Sequence, residues 1–179
     1  MPGQQSAAVS PETETIVVVE GASDRAALLR LAQRRGRDLA AEGVAVVPIG
    51  GAHALRRFLS SLGERVGSVR LVGLCDAGEA EDFRRALGGE RACYVCDPDL
   101  EDELIRSLGA ARVEQIIEAD GRLRSFRTLQ KQPAQRGRTH EQQLHVFLGN
   151  RKIRYASLLV DALDLDNVPA PLEAVLDYL

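Results

Sequence analysis

Glu20 and Asp24 bracket the stretch Glu20-Gly21-Ala22-Ser23-Asp24, which follows an uninterrupted apolar run, Ile16-Val17-Val18-Val19. Two carboxylates at that spacing can share one cation if the first closes a strand and the second opens a helix. A β-branched run without polar alternation reads as a strand buried on both faces. Gly21 permits a sharp turn, Ser23 can cap a helix, and Asp24 falls in that helix's first turn, where its charge also suits the helix dipole. Open α/β sheets bind ligands at the carboxyl ends of their strands. Two further strand-like runs end in acids: Val69 to Leu74 leads into Cys75-Asp76, and Ala92 to Cys96 into Asp97-Pro98-Asp99-Leu100-Glu101. Hard divalent cations such as Mg2+ take oxygen ligands from a few carboxylates and leave positions open for phosphate oxygens. Two such ions can activate water and stabilise the leaving oxygen of a phosphodiester.

The elements that must position these acids alternate through the first hundred residues. An amphipathic helix is predicted over Ser23 to Ala40, a strand over Val44 to Ile49, and a helix over Ala52 to Leu62 after the Gly50-Gly51 turn. Val69 to Leu74 is the third strand, Glu79 to Leu87 a helix, Ala92 to Cys96 the fourth strand, and a short helix stops near Gly109. Such alternation implies a parallel sheet with helical crossovers. Beyond Ala111 only helices are predicted: Ala111 to Ala119, Leu123 to Lys131, His140 to Leu148, Lys152 to Leu163 and Pro171 to Leu179. The polar, Pro- and Gly-broken stretch Gln130 to His140 is the expected mobile loop. The expected organisation is a disordered lead-in over residues 1–14, an α/β domain over 15–110 and a helical C-terminal extension over 111–179.

Composition narrows the function. Aromatic residues make up 4% of the 179 residues and tryptophan is absent, so base-stacking platforms are not expected. No apolar run approaches the roughly 20 residues needed to span a membrane, and the N-terminus lacks the pattern of a secretory leader, so the chain reads as cytoplasmic. Three cysteines argue against a disulfide framework. Cys93 and Cys96 form a CxxC inside a strand-like run without the second ligand pair that zinc needs, and read as buried thiols. The net charge of −3 hides an asymmetry. Arg122 to Arg154 holds nine basic residues against one acid, Glu141, whereas acids concentrate between Asp76 and Glu103. An acidic site beside a basic surface suits a cation-dependent enzyme acting on a polyanion, although solvated helix faces give the same pattern.

Glu20-Gly-Ala-Ser-Asp24, the acidic strand end in LVGLCDAGE and the downstream Leu100-Glu101-Asp102-Glu103-Leu104 resemble the TOPRIM domain of topoisomerases, bacterial primases, small ribonuclease maturases and OLD-family nucleases. The OLD-type branch is the nearest. The resemblance covers about Thr15 to Gly109, with a weaker match at Gly149-Asn-Arg-Lys152. It implies a Rossmannoid α/β fold with a parallel four-stranded sheet flanked by helices. It also implies a metal site of Glu20, Asp24, Asp76 and Glu101, holding Mg2+ or Mn2+; Glu79 is expected to join it through its longer side chain. Glu20 would be a metal ligand or general acid/base, Asp24 would complete its site, and Lys152 would stabilise charge on the phosphate in the transition state. Arg127, Lys131, Arg136, Arg138, Arg151 and Arg154 would line the nucleic-acid surface.

One departure qualifies the resemblance. Asp76-Ala77-Gly78-Glu79 replaces the second aspartate of the family's DxD pair with Gly78, and Glu79, one position later, projects in another direction. The leading expectation is a Mg2+-dependent phosphodiester hydrolase, endonuclease- or nickase-like, acting on nucleic acid and on DNA first. Two alternatives stay open: a catalytically weakened module binding nucleic acid or a partner protein, and nucleotidyl or phosphoryl transfer on a small molecule. No GxxxxGK[ST] phosphate loop is present, so any ATP dependence is expected from a separate ATPase chain, and self-association stays open. Gly50-Gly51 could offer backbone N–H groups to a phosphate but reads as a plain turn. His53, His140 and His145 lack ligand spacing and are expected in surface or packing roles.

Overall fold

A computed structural model describes residues 9–89 and 92–179 of the chain, so most of the expected lead-in, residues 1–8, lies outside the described residues. Among the described residues, four parallel strands form one sheet: β1 (Thr15–Val19), β2 (Val44–Pro48), β3 (Arg70–Asp76) and β4 (Cys93–Cys96), in the order β2-β1-β3-β4. The chain leaves β1 in one direction across the sheet and β3 in the other. The ends of β1 and β3 therefore meet at the switch point where open α/β sheets leave a crevice.

Every residue of β1 is buried, because both of its faces are covered. Val17 and Val19 point into a core with α1 (Ala22–Arg34), α4 (Leu100–Leu108) and the five helices that follow: α5 (Ala110–Ala119), α6 (Leu123–Gln130), α7 (His140–Gly149), α8 (Lys152–Ala162) and α9 (Ala170–Tyr178). Ile16 and Val18 point the other way, toward Leu55 of α2 (Ala52–Leu62) and Phe83 and Leu87 of α3 (Ala80–Leu87). None of these helices is long and apolar enough to cross a membrane.

The predicted elements are present, with one clear difference. α1 stops at Arg34 rather than running to Ala40, because Gly36 adopts a left-handed conformation (φ +73°) and the Arg37 N–H turns back to the Ala32 carbonyl. The cysteine motif is split by its strand. Residues three apart on β4 face opposite sides, so Cys96 enters the α1 core and Cys93 packs on the α3 side.

α1 and α8 start at the same edge of the molecule and run away from it together. Arg30 reaches Asp161 at 2.5 Å, and Arg34 donates to the carbonyls of Val160 (2.7 Å) and Leu163 (2.8 Å), satisfying the open end of α8. This pairing fixes the first turn of α8, and with it Lys152, beside the first turn of α1.

Gly73 sets how closely α3 seats on β3, since a Cβ there would lie 2.8 Å from Leu87 Cδ1 and 3.1 Å from Cys93 Sγ. Gly73→Val is expected to destabilise the fold by about 1–3 kcal/mol through overpacking, read as a lower urea midpoint at unchanged m-value. An unchanged midpoint would refute this seating of α3.

Candidate metal and phosphate site

The carboxyl ends of the strands enclose a cleft of ≈ 350 Å³ lined by Glu20, Gly21, Ser23, Asp24, Gly50, Gly51, Asp76, Glu79, Glu101 and Lys152. Five acids and one lysine thus converge from four separate stretches of chain.

Each is held by its own local structure. Glu20 follows β1, and its Oε2 accepts from the Asp76 N–H at 3.2 Å, tying the ends of β1 and β3 together. Asp24 lies in the first turn of α1, where its Oδ2 accepts from the Gly21 N–H at 2.8 Å. The need for glycine at 21 is spatial and not torsional. Gly21 is extended (φ −137°), but a Cβ there would press on the Asp24 carboxylate at 3.2 Å. Ser23 lies inside the helix and is not its cap, since Gly21 holds that position. Asp76 ends β3, and its Oδ1 accepts from the Leu100 N–H at 3.3 Å, joining the site to α4. Glu101, in the first turn of α4, is 5% exposed; its Oε2 accepts from Lys152 Nζ at 3.0 Å, while its Oε1 is buried without a hydrogen-bond partner. Glu79 reaches the same cleft from the turn after β3, with its Oε2 3.9 Å from where a Gly51 Cβ would stand. Gly78 faces open space.

The crowding of like charge shows in the acidities. Burial, aided by the Glu20 and Glu101 charges, overcomes the Gly21 hydrogen bond and raises Asp24 to about 6. Burial, and then the Glu20 charge, raises Asp76 to about 7. Burial works against a charge on Lys152, but its hydrogen bond to Glu101 and the surrounding carboxylates hold it above the ordinary lysine value. One ammonium does not balance Glu20, Asp24, Asp76 and Glu101, and the orphaned Glu101 Oε1 is an acceptor still lacking a donor or cation among the described residues. This donor set, all oxygen, fits a hard divalent ion.

Two residues beside the cleft were not expected there. Asp97 was the third strand-end acid in the sequence, but it is exposed and is not among the residues lining the cleft. Its N–H donates to Glu103 and its carbonyl accepts from Arg106, so the chain turns outward before Asp99. Asp99 takes the inner position, capping α4 through the Asp102 N–H (2.9 Å). Its other oxygen lies 2.6 Å from Nε2 of His145, on α7, which is therefore more than a packing residue. Asp99, Glu101 and His145 bring ligand atoms within 4.8 Å of one another and could hold a metal ion, with Glu101 common to this group and to the cleft. The capping position of Asp99, just before the LEDEL run, was the one signal that could have pointed to it. Nothing local connects His145 to a residue 46 positions away.

The basic residues divide into two groups. Arg127 is bound to Glu114, and Arg154 to Asp120. Arg151 lies 5.6 Å over the Phe147 ring, one residue from Lys152. Lys131, Arg136 and Arg138, in the α6–α7 connection, are exposed and form no ion pair among the described residues. That connection is tied down from within: Gln135 is buried, and Gln143 donates to its carbonyl at 3.0 Å.

In the metal-free protein Asp24 and Asp76 titrate higher when folded than in an unfolded chain, where aspartate sits near about 3.9. The folded state then binds more protons between about pH 4 and 7, so these groups make stability fall as pH rises through that window. Divalent ions compete with those protons. The rise in melting temperature caused by millimolar Mn2+ is expected to be larger at about pH 8 than at about pH 5.5. Asp24→Asn, which can still accept from the Gly21 N–H, should flatten the metal-free pH dependence; an unaltered slope would show that Asp24 does not titrate in this range.

Comparison with known proteins agrees with this fold. Residues 13–76 match the family model described as the overcoming lysogenization defect protein-like TOPRIM domain. No curated protein matches the chain. Among solved structures, the chain is similar to the C-terminal region of the Burkholderia pseudomallei OLD protein, with a TM-score of 0.65 and 19% identity over 93% of this chain and 96% of that one. It is also similar to the C-terminal region of the Xanthomonas campestris pv. campestris OLD protein, with a TM-score of 0.68 and 20% identity over 93% of this chain and 91% of that one. At these identities the structures establish a shared fold.

Proposed function

Because the chain carries an OLD-like TOPRIM domain over residues 13–76, we propose that it is a Mg2+- or Mn2+-dependent phosphodiester hydrolase that nicks or cleaves nucleic acid, DNA first. The observation that carries this reading is the convergence of Glu20, Asp24, Asp76, Glu79, Glu101 and Lys152 in one cleft. The match to that family model over residues 13–76 favours chemistry of the nucleotidyl-transfer and nuclease type. The oxygen donors of the cleft fit hard cations, which when bound would activate water and neutralise phosphate charge.

The chain's own residues supply the rest. Glu20, at the switch point, would ligate one ion with Asp24 and Asp76, or take a proton from the attacking water. Asp99, Glu101 and His145 would hold a second ion. Lys152, bound to Glu101, places a cation at the cleft that would stabilise charge developing on the phosphate. Lys131, Arg136 and Arg138 are exposed and form no ion pair among the described residues, and would bind the polyanion backbone. Arg127 and Arg154, already neutralised by Glu114 and Asp120, would contribute less. A partner bearing an ATPase site, on this protein or another chain, would supply any ATP dependence.

Purified protein is expected to nick supercoiled DNA with Mn2+ or Mg2+, and Glu20→Gln to abolish the reaction. Lys152→Ala should lower the rate by about 10²–10³-fold. Supercoiled, linear and single-stranded substrates left intact with both metals would overturn the proposal. Gly78 favours one other reading, a weakened site that binds without cutting. Gly78 faces open space, so Gly78→Asp should fold normally and tighten Mn2+ binding by calorimetry. If activity appears only in that variant, the natural chain is the binding module.

A further inference from the structure

The sulfurs of Cys75 and Cys93 lie 3.8 Å apart, across β3 and β4. The two residues are diagonal neighbours on one face of the sheet, since Cys93 pairs with Gly73 and Cys75 with Val95. Gly73 leaves room for the Cys93 sulfur, because a side chain there would press on it. Cys75 is fully buried and Cys93 is partly exposed, so a small oxidant can reach one sulfur of the pair first. β4 has four residues and lies at the sheet edge, paired among the described residues only with β3. A disulfide is about 2.05 Å long, so the sulfurs must close by less than about 2 Å, a movement that a short edge strand can absorb.

We propose that Cys75 and Cys93 are an oxidisable dithiol that a peroxide converts to a disulfide, a modification site directly behind the acidic cleft. The Cys93 thiolate attacks one oxygen of hydrogen peroxide as the O–O bond breaks, giving Cys93 sulfenic acid and hydroxide. The Cys75 sulfur then displaces the sulfenic oxygen, the S–S bond forms, and the Cys75 proton leaves with that oxygen as water. The hydroxide takes the proton that Cys93 first gave up, so two thiols are oxidised to one disulfide and peroxide is reduced to two waters. The surroundings of Cys93 suit this order. The Cys75 thiol and then the Arg84 guanidinium favour its thiolate, holding Cys93 below the usual thiol value against the effect of burial.

The bond would bear on the cleft because Cys75 immediately precedes Asp76. The Asp76 N–H binds Glu20, and its carboxylate binds the start of α4. Drawing Cys75 toward β4 moves Asp76 against both partners. This consequence rests on the metal-site reading above, whereas the dithiol itself does not.

The test treats the full chain with hydrogen peroxide and follows intact mass, linked peptides and Mn2+ binding. The expected product has lost two hydrogens, contains a peptide pair joining Cys75 to Cys93, keeps Cys96 as a free thiol, and reverts with dithiothreitol. Cys96→Ser should cross-link as the natural chain does, and Cys93→Ser should not. Oxygen added at Cys93 with no linked peptide, or three intact thiols, overturns the proposal. Mn2+ affinity is expected to fall at least several-fold on oxidation and to recover on reduction. Unchanged affinity in the linked protein would overturn the coupling to the cleft. Failure of both forms to bind Mn2+ would overturn the metal-site reading and leave the dithiol standing.

Discussion

Carboxylates repel one another, and burial makes each charge harder to keep; this chain nevertheless gathers Glu20, Asp24, Asp76, Glu79 and Glu101 around a single cleft with Lys152 as the lining cation. The arrangement holds because each acid has a fixed donor or position. Gly21 and Asp76 lend backbone N–H groups, Leu100 lends another, and Lys152 satisfies one oxygen of Glu101. The residual imbalance is expressed as raised acidity at Asp24 and Asp76 and as an unpartnered oxygen on Glu101. A site that is costly without a cation gains the most from binding one.

Much of the fold can be understood as a frame for that cluster. Burying β1 on both faces puts the ends of β1 and β3 side by side, and the strand order leaves a crevice between them. The C-terminal helices share the α1 side of the core, and α8 lies along α1 with Arg30 and Arg34 fastening its far end. Lys152 thus reaches a glutamate 51 residues earlier in the chain. The helical extension carries part of the site and is not merely a cover for the sheet.

The same frame explains why the basic segment is less uniform than its composition. Glu114 and Asp120 lie just before the basic stretch, and folding brings them onto Arg127, Arg122 and Arg154. The cations left to meet an anion are concentrated in the α6–α7 connection and beside Lys152.

Strand and helix identities followed from the sequence because periodicity, β-branching and glycine stops act over a few residues. The Ile16–Val19 run, the acids after it and the Gly50-Gly51 turn were legible for that reason, and so was the family resemblance, which rests on the same short motifs. Side-chain direction beyond a strand end was not legible. Whether Asp97 or Asp99 faces inward depends on how the chain turns into α4, and whether Glu79 reaches the cleft depends on the turn after β3. The partnerships of His145 with Asp99, Lys152 with Glu101 and Cys75 with Cys93 join residues 46, 51 and 18 positions apart. Local pattern in the sequence determined which residues could do chemistry. Only tertiary packing decided which of them meet, because such contacts depend on the docking of whole helices and strands.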